Sequence, residues 1–165
     1  MADWVRESQI HQAKATKLLT DAYRRRGDII NHTAIHLLID AWPAGWMKTL
    51  TDCRRQPKRA YFAYQESLQP LRVNLYTGRN TAYLDEQVDV EAWLLNDTGH
   101  DNVLTIRVEV FAGEDTEPFA AYEIEDTALA ANAICAGKIP LTFEKMPEFN
   151  SRSQAVQVRA ATLDE

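Results

Sequence analysis

The stretch IHLLIDAWPAGWMKTL, residues 35–50, decides how this chain is read. Residues 35–39 are almost continuously aliphatic, which marks a strand buried on both faces rather than one that alternates between core and solvent. On either side the period is helical. In QIHQAKATKLLTDAYRRR, residues 9–26, Ala15, Leu18, Leu19 and Ala22 recur at the i, i+3, i+4, i+7 spacing of one helix face. Arg24, Arg25 and Arg26 stand where a helix C-terminus favours cations, and Gly27 follows as a stop. A second helix is predicted from Pro57, whose fixed φ suits a first turn, through KRAYFAYQESL, with Tyr61, Tyr64 and Leu68 on one stripe; Pro70 ends it. Helix, buried strand, helix is the grammar of an α/β unit. One strand of that kind cannot pair both its edges or cover both its faces, so the pattern points to further chain upstream.

After Pro70 the period becomes two. LRVNLY puts Leu71, Val73 and Leu75 on one face; VDVEAWL sets Val88, Val90, Ala92 and Leu94 against Asp89, Glu91, Trp93 and Leu95; IRVEVF sets Ile106, Val108 and Val110 against Arg107, Glu109 and Phe111. Turn residues punctuate these runs at 77–80, 96–99 and 112–115. AAYEIED, KIPLTFE and QAVQVRAATL continue the series. About seven short strands at such spacing predict an immunoglobulin-like β-sandwich, although the Cys…Trp…Cys spacing of an antibody domain is missing. The predicted fold is therefore α+β, with a helix-strand-helix segment over residues 1–70 and an Ig-like sandwich over 71–165.

Composition narrows the function. With 165 residues and 45% apolar content the chain suits one domain, or one and a piece. A net charge of −6 with scattered basic residues gives no footprint for nucleic acid. No apolar run reaches the length of a membrane span, and MADWVRESQ is too polar for a signal peptide. Neither cytoplasm nor an exported compartment is singled out. Cys53 and Cys135 stand alone, which favours two free thiols over a disulfide or a metal site. His32 and His36 would share a zinc ion on a helix; on a strand they lie about 13 Å apart and cannot. The segment lacks the glutamate of an HExxH motif, so no metal and no cofactor is expected. His11 and His100 read as surface and turn residues.

Several motifs stand in a telling order. Gln9-Ile10-His11-Gln12-Ala13, Tyr23-Arg24-Arg25-Arg26, Leu38-Ile39-Asp40-Ala41-Trp42-Pro43, Trp46, and Gln56-Pro57-Lys58-Arg59-Ala60-Tyr61-Phe62-Ala63-Tyr64 resemble the end of the catalytic barrel in glycoside hydrolase family 2. Order and spacing are most similar to the β-mannosidase-like members, within the broader β-mannosidase/β-galactosidase group. The run TAYLDEQVDVEAWLLND, residues 81–97, resembles the first strands of that family's next sandwich domain. The resemblance implies that residues 3–27 are the seventh helix of a (β/α)8 barrel, 33–40 its eighth strand and 56–68 its eighth helix. The family usually has asparagine where Ile39 stands and a longer spacing between its tryptophans than Pro43-Ala44-Gly45 provides, so the resemblance does not fix which sugar is bound.

Barrel enzymes build their sites at the C-terminal ends of strands, which would put Asp40, Trp42 and Trp46 at the rim. An indole face is apolar and quadrupolar and can stack on the C–H face of a pyranose. Trp42 is the candidate wall, with plain core packing as its alternative; Trp46 reads more as packing. Asp40 either binds a sugar hydroxyl or anchors its loop, and aspartates before turns favour the anchor. The resemblance implies a retaining β-glycosidase whose two catalytic carboxylates lie on earlier strands, the acid/base in an Asn-Glu pair that this chain does not contain. No catalytic residue is therefore assigned, and Glu66 and Glu109 read as solvated surface. The parent enzyme is expected to act on carbohydrate, and this portion alone to be inactive. Residues 1–70, without the other barrel strands, must cover the aliphatic strand with their helices, dock on the sandwich or associate between chains, and a sandwich lacking its last strand would leave an open edge as a second place for self-association. The contrasting reading is a stand-alone binding or adhesion module with Tyr76, Tyr83, Trp93 and Tyr122 as platform candidates.

Overall fold

The computed structural model describes residues 1–43, 48–79, 81–83, 86–142 and 156–163. They form a mostly β structure with two helices and two antiparallel sheets. The chain divides into two compact units, Met1–Pro70 and Leu71–Glu165.

In the first unit, α1 (Ala2–Arg24) has Asp3 in its first turn and Arg24 in its last, both matched to the helix dipole. It ends before the predicted 27: the amides of Arg26 and Gly27 bond back to Tyr23 and Arg24, tightening the chain into a turn. Helix α2 (Arg59–Ser67) starts later than Pro57. Pro57 instead bridges Thr51, and extended Lys58, at φ −82° and ψ 168°, takes the N-cap position.

The apolar stripes predicted for these helices are not their packed faces. Leu18 and Leu19 are 63% and 51% exposed, while the neighbouring Thr20 and Asp21 are buried. On α2, Ala60 and Ser67 are buried seven residues apart and Tyr61 and Leu68 face outward. Small side chains let two helix backbones approach closely, and the long Lys17 and Glu66 side chains close the flank of this pair with an ion pair.

The buried strand expected over residues 33–40 is also absent. Ile39 makes one parallel bridge to Thr51, the Leu50 amide donates to Leu37 O, and no longer ladder forms there among the described residues. Leu37, Leu38 and Ile39 remain 43%, 56% and 42% exposed. A strand buried on both faces needs a neighbour along each edge, and this unit supplies one short segment along one edge.

The second unit carries six strands among the described residues: β1 (Leu71–Thr77), β2 (Gln87–Asn96), β3 (Asn102–Ala112), β4 (Ala120–Ala128), β5 (Asn132–Thr142) and β6 (Val156–Thr162). One sheet has the order β1-β2-β5 and the other β4-β3-β6. Alternation put the right residues inward. Val90, Ala92, Leu94, Ile139 and Leu141 of the first sheet meet Leu104, Ile106, Val108, Val110 and Ala128 of the second in one apolar core, as in a β-sandwich. Between Ala92 and Trp93 the β2–β5 register shifts, because their partners are Gly137 and Cys135 and Ala136 on β5 is the extra, bulged residue. A Cβ at Gly137 would stand 3.0 Å from Cδ1 of Ile124 on β4, so a larger residue there requires the tip of that side chain to give way.

Hydrogen bonds close the β2–β3 turn. The Asn96 side-chain amide donates to the carbonyls of His100 and Ala128, and its Oδ1 accepts from the amide and hydroxyl of Thr98. Among the described residues, no helix is long and apolar enough to cross a membrane.

Candidate functional site

Asp40 is 6% exposed, and both its carboxylate oxygens are engaged. Thr49 Oγ1 donates to Oδ1 at 2.8 Å, and Lys58 Nζ pairs with Oδ2 at 2.8 Å. Lys58 Nζ also donates to Thr49 Oγ1, closing a three-membered ring of side chains. Thr49 is fully buried, and the Lys58 and Asp40 side chains are 13% and 4% exposed. Backbone bonds draw the same three segments together: the Asp40 amide donates to Thr51 O, the Thr51 amide to Leu38 O and the Lys58 amide to Leu50 O. Gln12 on α1 reaches Thr49 O at 2.9 Å.

Burial alone would raise the Asp40 pKa. The hydrogen bonds from Lys58 and Thr49 and the Lys58 charge outweigh it and hold the carboxyl below its ordinary range. Asp40 is thus an ionised, doubly bonded group at neutral pH.

Two residues on, Trp42 is 60% exposed, with exposed Pro43 beside it. Trp46 lies outside the described residues. Asp40 and Trp42 are brought into one short segment, the first inward and the second outward.

A groove of about 400 Å³ runs along α1, lined by His11, Leu19, Tyr23, His36, Lys48 and Tyr64 among others. Both His11 and His36 border it. Among the described residues, no three His, Cys, Asp or Glu side chains gather closely enough to hold a metal ion.

The platform candidates of the sandwich separate. Tyr122 is half-buried and packs against the core, because its position on β4 alternates inward. The half-buried Trp93 is pinned by its indole N–H to Glu91 Oε2 at 2.9 Å, and Glu91 also pairs with Lys138. Tyr76 and Tyr83 are 42% and 86% exposed. The loop before β2 is held by Glu86, which accepts from the Tyr83 amide and from Arg79; these bonds keep its carboxyl below the usual range. Cys53 and Cys135 are free thiols.

Sequence reasoning missed Thr49 and Lys58. A lysine just before a helix reads as solvated, and only its pairing with a residue eighteen positions away brings it inside.

No family profile and no curated protein matches this sequence. Solved structures do. The chain is similar to the β-D-mannosidase of Dictyoglomus thermophilum at 18% identity and a TM-score of 0.65, over 93% of this chain and 17% of that one. It is similar to the exo-chitosanase of Amycolatopsis orientalis at 15% identity and a TM-score of 0.72, over 98% of this chain and 18% of that one. A variant of that exo-chitosanase in complex with PNP-β-D-glucosamine matches at 14% identity, a TM-score of 0.67 and the same coverage. The chain thus spans less than a fifth of each of these proteins. At such identity the likeness is one of fold, and that fold is found in a β-mannosidase and an exo-chitosanase.

Proposed function

We propose that this chain is a non-catalytic C-terminal portion of a retaining β-glycosidase of the family 2 type. In this reading residues 1–70 are the end of its (β/α)8 barrel and residues 71–165 an Ig-like sandwich. The observation that carries the reading is the fold likeness to two sugar-cleaving enzymes across 93–98% of the chain.

Within that enzyme Trp42 would line the sugar site, stacking its ring on a pyranose face, while Asp40 holds the segment from behind. Asp40 is assigned to anchoring because Thr49 and Lys58 already take both its oxygens. Trp46 would stand near the same rim. The catalytic pair is expected on other strands, so the chain supplies substrate contact and support.

Saturation-transfer NMR with methyl β-D-mannoside and with β-D-glucosamine tests this directly. The expected result is transfer to the sugar ring protons that falls about tenfold in affinity on Trp42→Ala, equivalent to about 1.4 kcal/mol. Turnover of an aryl β-glycoside by this chain should not exceed the buffer rate. Transfer that Trp42→Ala leaves unchanged would sink the Trp42 assignment, and turnover would sink the non-catalytic one.

A second reading is favoured by the exposure of Tyr83: a sandwich that binds glycans through Tyr76 and Tyr83 as a stand-alone module. Transfer lost on Tyr83→Ala and retained on Trp42→Ala would select it.

A further inference from the structure

We propose that Lys58, acting with Thr49 through the Asp40 carboxylate, is a positioning residue that sets how Trp42 is presented. Its meaning for sugar recognition rests on the proposed role of Trp42, whereas the positioning itself is measured without any ligand.

Three observations carry it. First, the ring of bonds among Lys58 Nζ, Asp40 and Thr49 Oγ1 is closed and almost wholly buried, so the Asp40 side chain is fixed on both its oxygens. Its backbone is fixed as well, by the Asp40 amide on Thr51 O. Trp42 follows Asp40 by two residues, so its backbone leaves from that fixed point. Second, Thr49 Oγ1 donates to Asp40 Oδ1 at 2.8 Å, so the ring ties the backbone just before Trp42 to a residue nine positions further along the chain.

Third, helix stability does not account for the lysine. Lys58 occupies the N-cap of α2, makes no side-chain cap bond there and brings a cation to the positive end of the helix dipole. Serine, aspartate or asparagine would serve that helix better. The position makes sense through what the ammonium reaches, which is Asp40 and Thr49.

The experiment labels the full chain with 5-fluorotryptophan and follows the Trp42 resonance, assigned by Trp42→Phe, among the four tryptophans. In Lys58→Met the Trp42 line should shift or broaden while those of Trp4 and Trp93 hold. Breaking one partner of a buried pair can unfold the unit, so the paired variant Asp40→Asn with Lys58→Met serves as the second arm. Removing both charges should recover much of the thermal stability and leave the Trp42 line displaced. Lys58→Arg, which keeps the charge, should bring the line back toward the parent position. A merely structural role would return the Trp42 line together with the melting temperature in the paired variant, and that result overturns the proposal.

Titration with methyl β-D-mannoside separates the two claims. A Trp42 line that the sugar leaves still and the Lys58 variants move refutes the sugar reading and upholds positioning. A line that the sugar moves and both Lys58 variants leave still overturns positioning alone.

Discussion

An aspartate that stays charged at 6% exposure ties its own stability to pH. The Asp40 carboxyl is lowered in the folded chain because Lys58 and Thr49 outweigh burial. A lowered folded pKa stabilises above the unfolded value, about 3.9 for aspartate, and the contribution is lost as pH falls through the folded value. Thermal melts of the parent should therefore be flat for this group from neutrality to about pH 5 and fall in stronger acid. Asp40→Asn should flatten that acid limb; parallel limbs in the two proteins would show that Asp40 does not set it. Removing Lys58 alone should cost about 3 kcal/mol at pH 7, because it leaves a buried charge unpaired. At this scale the sequence was half legible. An aspartate before a turn suggested bonds to nearby backbone, whereas the Asp40 carboxylate bonds the side chains of Thr49 and Lys58, which carry no local signal of burial and which only tertiary pairing reveals.

Periodicity found the helices and misplaced their faces. Leu18 and Leu19 make a proper helical stripe, yet the α1–α2 contact is built on small and polar positions such as Ala60 and Ser67. A stripe read from sequence reports which face is apolar, and it does not report what covers that face in a given unit. Leu18→Lys should accordingly change the stability of the chain by less than about 0.5 kcal/mol, since it replaces an exposed residue. Ala60→Leu, which inserts three carbons where there is no free surface, should cost about 1–3 kcal/mol. Urea titrations compare the two, and a costly Leu18→Lys would mean that this stripe is covered in solution. The aliphatic run before Asp40 failed as a strand for a related reason: its residues suit a ladder, and the one bridge to Thr51 is too short to make one.

For the molecule as a whole, alternation was the dependable signal. A run was foreseen within each of the six described strands, though that of β5 began only at Lys138, and Val90, Ala92, Leu94, Ile106, Val108 and Val110 lie in the core as the pattern set them, because a half-buried strand writes its face into every second position; Leu95 and Phe111, set on the other face, are buried as well. The bulge between Ala92 and Trp93 was not foreseen, since it depends on the partner strand. Leu94, wholly buried among both sheets, should cost about 2–5 kcal/mol when cut to alanine, read from the midpoint of urea unfolding followed by Trp93 fluorescence. A loss below 1 kcal/mol would place the two sheets further apart than this core implies.

Arg24, the last residue of α1, donates from its guanidinium to the carbonyls of Ser67, Gln69 and Pro70, where the chain leaves its first unit. Tension arriving along the backbone at Pro70 therefore reaches a lateral clasp before it can peel the short α2 from its end. In a single-molecule pulling trace, severing that clasp by Arg24→Ala should lower the rupture force of the first unit and leave that of the sandwich as it was.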